Sequence, residues 1–389
     1  MKLLNFFLSV GLAVALSLGT LAAPTLAQSG KFRVYIGTYT GKGQQKVDSE
    51  GIYTALFDSN TGAISDVQLA AKLGNPSFLA IAPDGKHLYA VGEGGGEVGK
   101  AVNAFKLDAA SGKLEFLNSQ SGGGNGSCHI ICSKNGKGVL VANYGSGSVC
   151  SVQVKADGSL GDVASAIQHT GTSVDKGRQE APHAHSIFLD AANKFAFSPD
   201  LGIDKVMIYR FDSETAKLTP SEPAFAKVAP GSGPRHFAFH TSGKYAYVIN
   251  EMLCTITAFA YDAEKGTLTE IQTLPTLASV KPARGDSTAE IVVHPSGKFL
   301  YGSNRGNNTI ASFTIDQATG KLTATGHQGE QVRTPRNFNV DPTGKWCLVA
   351  NQDGDSVIVF AIDPETGKLS PTAHKAVVGM PVCVKFLAL

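Results

Sequence analysis

The sequence predicts an all-β fold, a seven-bladed β-propeller whose N-terminal and C-terminal strands pair to close the ring. Three observations carry this. Glycine fills 44 of 389 positions and only 17% of residues are charged, which disfavours long helices and a charge-rich disordered chain alike. A strand–turn–strand unit recurs with a period near 50 residues, the spacing of four-stranded propeller blades. The repeat region also begins and ends on half a unit.

In chain order, Met1 to Ala27 comes first. It has one charge, Lys2, an apolar run from Leu3 to Leu18, and small residues at Ala22, Ala23 and Ala27. This layout is that of a secretory signal peptide. A membrane anchor is the alternative, but the run falls short of the roughly 20 apolar residues a bilayer core needs. The expected mature chain, 28–389, then lies outside the cytoplasm, in the periplasm or secreted, with no membrane contact.

Lys31 to Thr38 (KFRVYIGT) reads as a second strand with no first strand before it. The unit itself is clearest in GPRHFAFHTSGKYAYVINEMLCTITAFAYD (233–262), STAEIVVHPSGKFLYGSNRGNNTIASFTID (287–316) and TPRNFNVDPTGKWCLVANQDGDSVIVFAID (334–363). Residues 182–212 hold a fourth copy, and looser ones start at Asn75 and Gly126. Their turns centre on Gly85, Gly136, Asn193, Gly243, Gly297 and Gly344, residue types that accept the positive φ of a tight hairpin. D-x-x-x-G-K-L turns, as at 108–114 and 363–369, open the fourth strands. Pro381 to Leu389 (PVCVKFLAL) is a first strand with nothing after it. Pairing it with Lys31 to Thr38 completes a seventh blade and hides two open edges.

A formal charge of +2 provides no basic field for nucleic acid. The six cysteines are irregularly spaced, show no paired CxxC zinc pattern, and in a domain of this size read as buried thiols.

Register locates the mouth. The first strand of each blade leaves one face and the second returns to it, so residues about eight before and eight after each turn share a rim. The column before the turn is Ser77, Cys128, His185, Arg235, Ala289 and Arg336; its next neighbours include His129, His236, Glu290 and Asn337. The column after it is Glu93, Tyr144, Leu201, Glu251, Arg305 and Gln352, preceded by residues that include Asn143, Asn250, Asn304 and Asn351. Asn at those positions also fits a plain Asx turn, His183 and His185 a packed turn, and Arg235 and Arg336 inter-blade ion pairs. The clustering of Arg, Glu and His on one axis nevertheless calls for a ligand.

PHAHS, GSGPRHFAF, YVINE, AEIVVHPSGKFLYGSNRG and TPRNFNVDPTGK together resemble the lactonase family of seven-bladed propellers. That family includes propeller-type 6-phosphogluconolactonases and fungal carboxymuconate cyclases. The resemblance covers residues 31–389 and implies a His, two Arg and a Glu as catalytic residues, at His185, Arg235, Glu251 and Arg305. Bacterial lactonases of this type are usually cytoplasmic, so the leader puts a phosphorylated pentose-pathway substrate in doubt.

The expected reaction is hydrolysis of a sugar lactone without metal or other cofactor. Either His185 or Glu251 is the base, with His185 preferred because an imidazole titrates near neutrality. Arg235 and Arg305 hold the oxyanion or a substrate anion. His183, His236, Glu290, Arg336, Asn337, Glu93, Asn143 and Tyr144 are the expected substrate contacts. Glu93, Glu251 and Glu290 could alternatively hold a divalent ion. A non-catalytic propeller binding a sugar acid or an envelope partner and a muconate-type cycloisomerase are the other readings, and a monomer or weak dimer is expected.

Overall fold

Among the described residues of the computed structural model (30–44, 46–93, 101–278 and 282–389), seven four-stranded antiparallel sheets follow one another along the chain. The leader 1–27 and the expected mature start at 28 lie outside the described residues. Blade 1 is the ring-closing blade, in the order Pro381–Ala388, Lys31–Thr38, Gly51–Asp58, Ala63–Lys72. Blades 2 to 7 follow in sequence order, with innermost strands Leu79–Ile81, Ser127–Cys132, Phe188–Leu189, Pro234–Phe239, Ser287–Val293 and Pro335–Val340. The expected closure is present: Val34 pairs with Phe386 and Ile36 with Val384.

Burial falls from the axis outward. Second strands are mostly buried, and wholly so in Tyr245–Asn250, while the outermost Leu322–Gln328 is exposed along most of its length. The core lies between the blades. Phe32, Val34 and Ile36 of blade 1 meet Leu348, Ala350 and Val357 of blade 7, so closing the ring buries an apolar face as well as two sheet edges. Each predicted turn residue adopts positive φ, from Asn193 at 56° to Gly344 at 76°.

A second ring of contacts joins the blades. The residue in the turn before each outer strand presses on the start of the preceding blade's second strand, except in blade 2, where the partner lies further along its strand. In six of the seven blades glycine sits there because a Cβ would strike a ring or guanidinium: Gly62 on Trp346, Gly112 on Arg33, Gly158 on His87, Gly266 on Phe195, Gly320 on Tyr245, Gly367 on Phe299. Blade 4 reverses the sizes, placing Ala216 at φ 59° against Gly138.

All six cysteines are free thiols, and every one except Cys132 is buried. No helix among the described residues is long and apolar enough to cross a membrane.

Candidate active site

Irregular pairing in the innermost strands builds the site. The strand register slips at Cys128, Arg235 and Arg336, between the paired residues Ser127/His129, Pro234/His236 and Pro335/Asn337. Blade 6 slips between Thr288 and Ile291, and blade 1 opposite Gly37/Thr38, at Val382. Such a bulge turns an extra residue out of the ladder and re-aims its side chain. Here it turns Cys128, Arg235, Arg336 and Val382 toward the axis.

The result is a narrow axial cavity. Ser77, Cys128, His185, Arg235 and Arg336 line it from the first column, and Glu93 from the second. Tyr39 and Val382, the blade 1 members of the same two columns, complete the wall, and Phe78 and His236 also face the cavity. A larger, more open space lies on the opposite rim. Among its charges Lys137 pairs with Glu214 and His87 with Asp84, as befits ordinary solvated turns.

Glu251 is the electrostatic hub beside the cavity. Its Oε2 accepts from Arg235 Nε and Arg305 Nη2, both at 2.9 Å, and its Oε1 from Arg178 Nη2 at 2.8 Å. Burial alone would raise its pKa, but Arg305, Arg235 and Arg178 together bring it down to about 2. A carboxylate so held is a poor base, so the structure disfavours Glu251 in that role. Burial in turn lowers Arg305 to about 10. Arg235 donates from Nη1 to the Ala289 carbonyl at 2.7 Å, and its Nη2 makes no hydrogen bond among the described residues. Arg336 lies over the Tyr39 ring at 5.3 Å, and Tyr39 donates to Glu93 at 3.0 Å. Among the described residues Arg336 has no ion-pair partner, so its charge faces the cavity.

His185 is buried at 6% exposure. Burial, with Arg235 and His236 beside it, holds its imidazole well below the ordinary histidine range, so it is neutral at physiological pH and a weaker base than a solvated imidazole. His183 stacks on Tyr144 at 4.6 Å, and Tyr144 meets His185 edge-on at 5.3 Å. His236 Nδ1 donates to Glu290 at 2.8 Å, and Asn337 Nδ2 donates to the other oxygen of Glu290. Glu93, Glu251 and Glu290 therefore each serve different partners instead of converging.

Five expected substrate contacts, His183, Tyr144, Asn143, Glu290 and Asn337, and the expected catalytic residues Glu251 and Arg305 do not line the cavity. Asn143 spends its amide on Gly122, Ser127 and Ser148, tying neighbouring loops together. Glu290 and Asn337 lie behind His236 and reach the cavity only through it. Arg178 was not expected. It comes from the loop between blades 3 and 4, which has no counterpart in the repeat. Asp200 anchors that loop by accepting from His183 N at 2.7 Å and pairing with His169 at 2.6 Å. Tyr39 and Val382 were legible in principle, because extending the two columns to the ring-closing blade reaches both.

Comparison with known proteins agrees with this architecture. Residues 33–386 match the family model described as lactonase, 7-bladed beta-propeller. A 6-phosphogluconolactonase of Bacillus subtilis is 36% identical over 92% of this chain and 99% of its own length. One from Formosa agariphila is 34% identical over 79% of this chain and 86% of its own. The structure of the Pseudomonas aeruginosa periplasmic gluconolactonase superposes with a TM-score of 0.83 at 33% identity, covering 92% of this chain and 99% of that one. The closed seven-blade ring, the His/Arg/Glu cluster at its mouth and this full-length similarity place the chain in the seven-bladed β-propeller lactonase family.

Proposed function

We propose that this protein hydrolyses a sugar lactone to its aldonic acid at the axial cavity, without a metal or other cofactor. The observation that carries the reading is a neutral imidazole, His185, sharing one cavity with the guanidinium groups of Arg235 and Arg336. Water attacks the lactone carbonyl carbon while His185 takes a proton from it. Arg235 and Arg336 donate to the carbonyl oxygen as it becomes an oxyanion. Arg305 and Arg178 act through Glu251, holding Arg235 in place. Collapse then breaks the bond from the carbonyl carbon to the ring oxygen. His183, Tyr144, Tyr39 and Glu93 frame the mouth and contact the sugar hydroxyls.

The leader 1–27 supports export, and the periplasmic gluconolactonase among the relatives supports the same compartment. We therefore assign an unphosphorylated aldonolactone as the natural substrate class.

Acid release from gluconolactone and from its 6-phosphate, followed with a pH indicator on the mature protein, tests this. The wild type should exceed the spontaneous rate. Arg336→Ala should lose about 10²–10³-fold in kcat as an oxyanion donor, and His185→Ala about 10²-fold or more as a base. Tight ligand binding without turnover, or full activity in both variants, would overturn the hydrolytic assignment. Because the base must be neutral and its pKa is lowered, kcat/KM should stay flat through pH 7. It should fall only below the ordinary histidine value of about 6.5.

A further inference from the structure

We propose that His236, backed by Glu290, is a second catalytic imidazole of this site, holding the proton between water attack and departure of the ring oxygen. This rests on the lactonase reading above and extends its chemistry. Two imidazoles line the one cavity, His185 and His236, with ring centroids 5.4 Å apart. They differ in what stands behind them.

Among the described residues no carboxylate pairs with His185: the Cys128 thiol lies 4.0 Å from its Nδ1, the Tyr144 ring meets it edge-on, and Arg235 and Arg336 line the same cavity. Behind His236 stands a carboxylate. Glu290 can only accept, so Nδ1 of His236 carries the hydrogen and Nε2 is left as a lone pair. Glu290 is itself held by the Ile291 amide at 2.9 Å and by Asn337 Nδ2. Asn337 is oriented in turn, since its Oδ1 accepts from Val384 N at 2.9 Å. A base aligned by a buried carboxylate that is itself aligned has the geometry of an acid–base couple.

Every blade contributes to the surroundings of His236. Phe78, His129 and Phe188 pack on its ring at 5.7, 5.3 and 6.2 Å. Lys385 lies over Phe78 at 4.4 Å, and Arg235 precedes His236 on its own strand. Protonating His185 puts a new charge beside two guanidinium groups with no anion behind it. Protonating His236 makes a neutral pair with Glu290. Burial lowers both imidazoles, but Glu290 opposes the effect at His236 alone. The proton therefore rests on His236.

The steps balance. His185 takes a proton from water as hydroxide bonds to the carbonyl carbon. The proton passes to His236 Nε2, directly or through one water, forming an imidazolium paired with Glu290. As the bond from carbon to ring oxygen breaks, His236 returns the proton to that oxygen, and both imidazoles end neutral.

Two measurements on the mature protein decide this. In lactone kinetics, Glu290→Gln should lower kcat about 10²-fold, the scale of general acid–base catalysis, with KM nearly unchanged. Its acid limb should move to lower pH, because the carboxylate that supports the imidazolium is gone, and Glu290→Asp should restore part of the loss. In a histidine NMR titration of the wild type, His236 should protonate at higher pH than His185. Unchanged kcat and limb in Glu290→Gln, or His185 protonating first, would overturn the proposal. Absence of turnover in the wild type would instead sink the lactonase reading, and the NMR order still decides which imidazole holds the proton.

Discussion

Glu251 shows how one residue can be catalytic in its neighbourhood and not in its own chemistry. Three guanidinium groups meet on one carboxylate, and a buried charge cluster of this kind tolerates no missing member. Glu251→Ala leaves Arg235 and Arg305 as uncompensated buried cations and should cost about 3–5 kcal/mol, read as a lower midpoint in urea unfolding. Its depressed pKa also sets a pH window. The folded value is about 2 against an ordinary 4.5, so the stabilisation is fully present above about pH 4.5 and is lost as pH falls toward 2. Unfolding followed at pH 7 and pH 3 should show wild-type stability falling more than that of Glu251→Gln. Register in the sequence puts Glu251 in the column after the turn, and in the structure it lies beside the cavity, bonded to Arg235. Register could not show that the residue is surrounded by arginines, because Arg178 arrives from a non-repeating loop.

At the scale of the element, two devices matter: the bulges that aim the first column inward, and the turn-to-strand contacts that lock blades together. The blade 3–blade 4 contact offers a clean double-mutant test. A Cβ on Gly138 would lie 2.7 Å from the Ala216 Cβ, so Gly138→Ala should destabilise by about 1–3 kcal/mol through overpacking. Ala216→Gly makes room and relieves positive φ, and the pair should recover most of the loss, giving a coupling measurable by a mutant cycle. Asp200 tests the loop that brings in Arg178 and His183. Asp200→Ala leaves buried donors unpaired at about 1–3 kcal/mol each. It should lower Tm and raise KM more than it lowers kcat, because the chemistry at His185 is untouched.

For the whole molecule, ring closure is the condition on which the cavity depends. The C-terminal strand Pro381–Ala388 is the inner strand of blade 1 and carries Val382 to the cavity wall. Ending the chain before Pro381 strips Lys31–Thr38 of its partner and opens an apolar face between blades 7 and 1. Loss of cooperative thermal unfolding and of all lactone hydrolysis is the expected outcome, and retention of both would show that blade 1 is dispensable.

The chain's periodic turns, with glycine or asparagine wherever φ must be positive, determined the fold by themselves, because hairpin geometry is a local property of a few residues. The strand count between turns also determined which residues reach the mouth, since side-chain alternation and strand length set a rim position without any distant contact. Tertiary structure alone decided what each of those residues does there. Whether a carboxylate is a base or a clamp, and whether an imidazole rests neutral or holds a proton, depends on which charges other blades bring within a few ångströms. Burial and Coulomb coupling act through space between segments more than 50 residues apart, as at His236 and Glu290, and no local pattern encodes them.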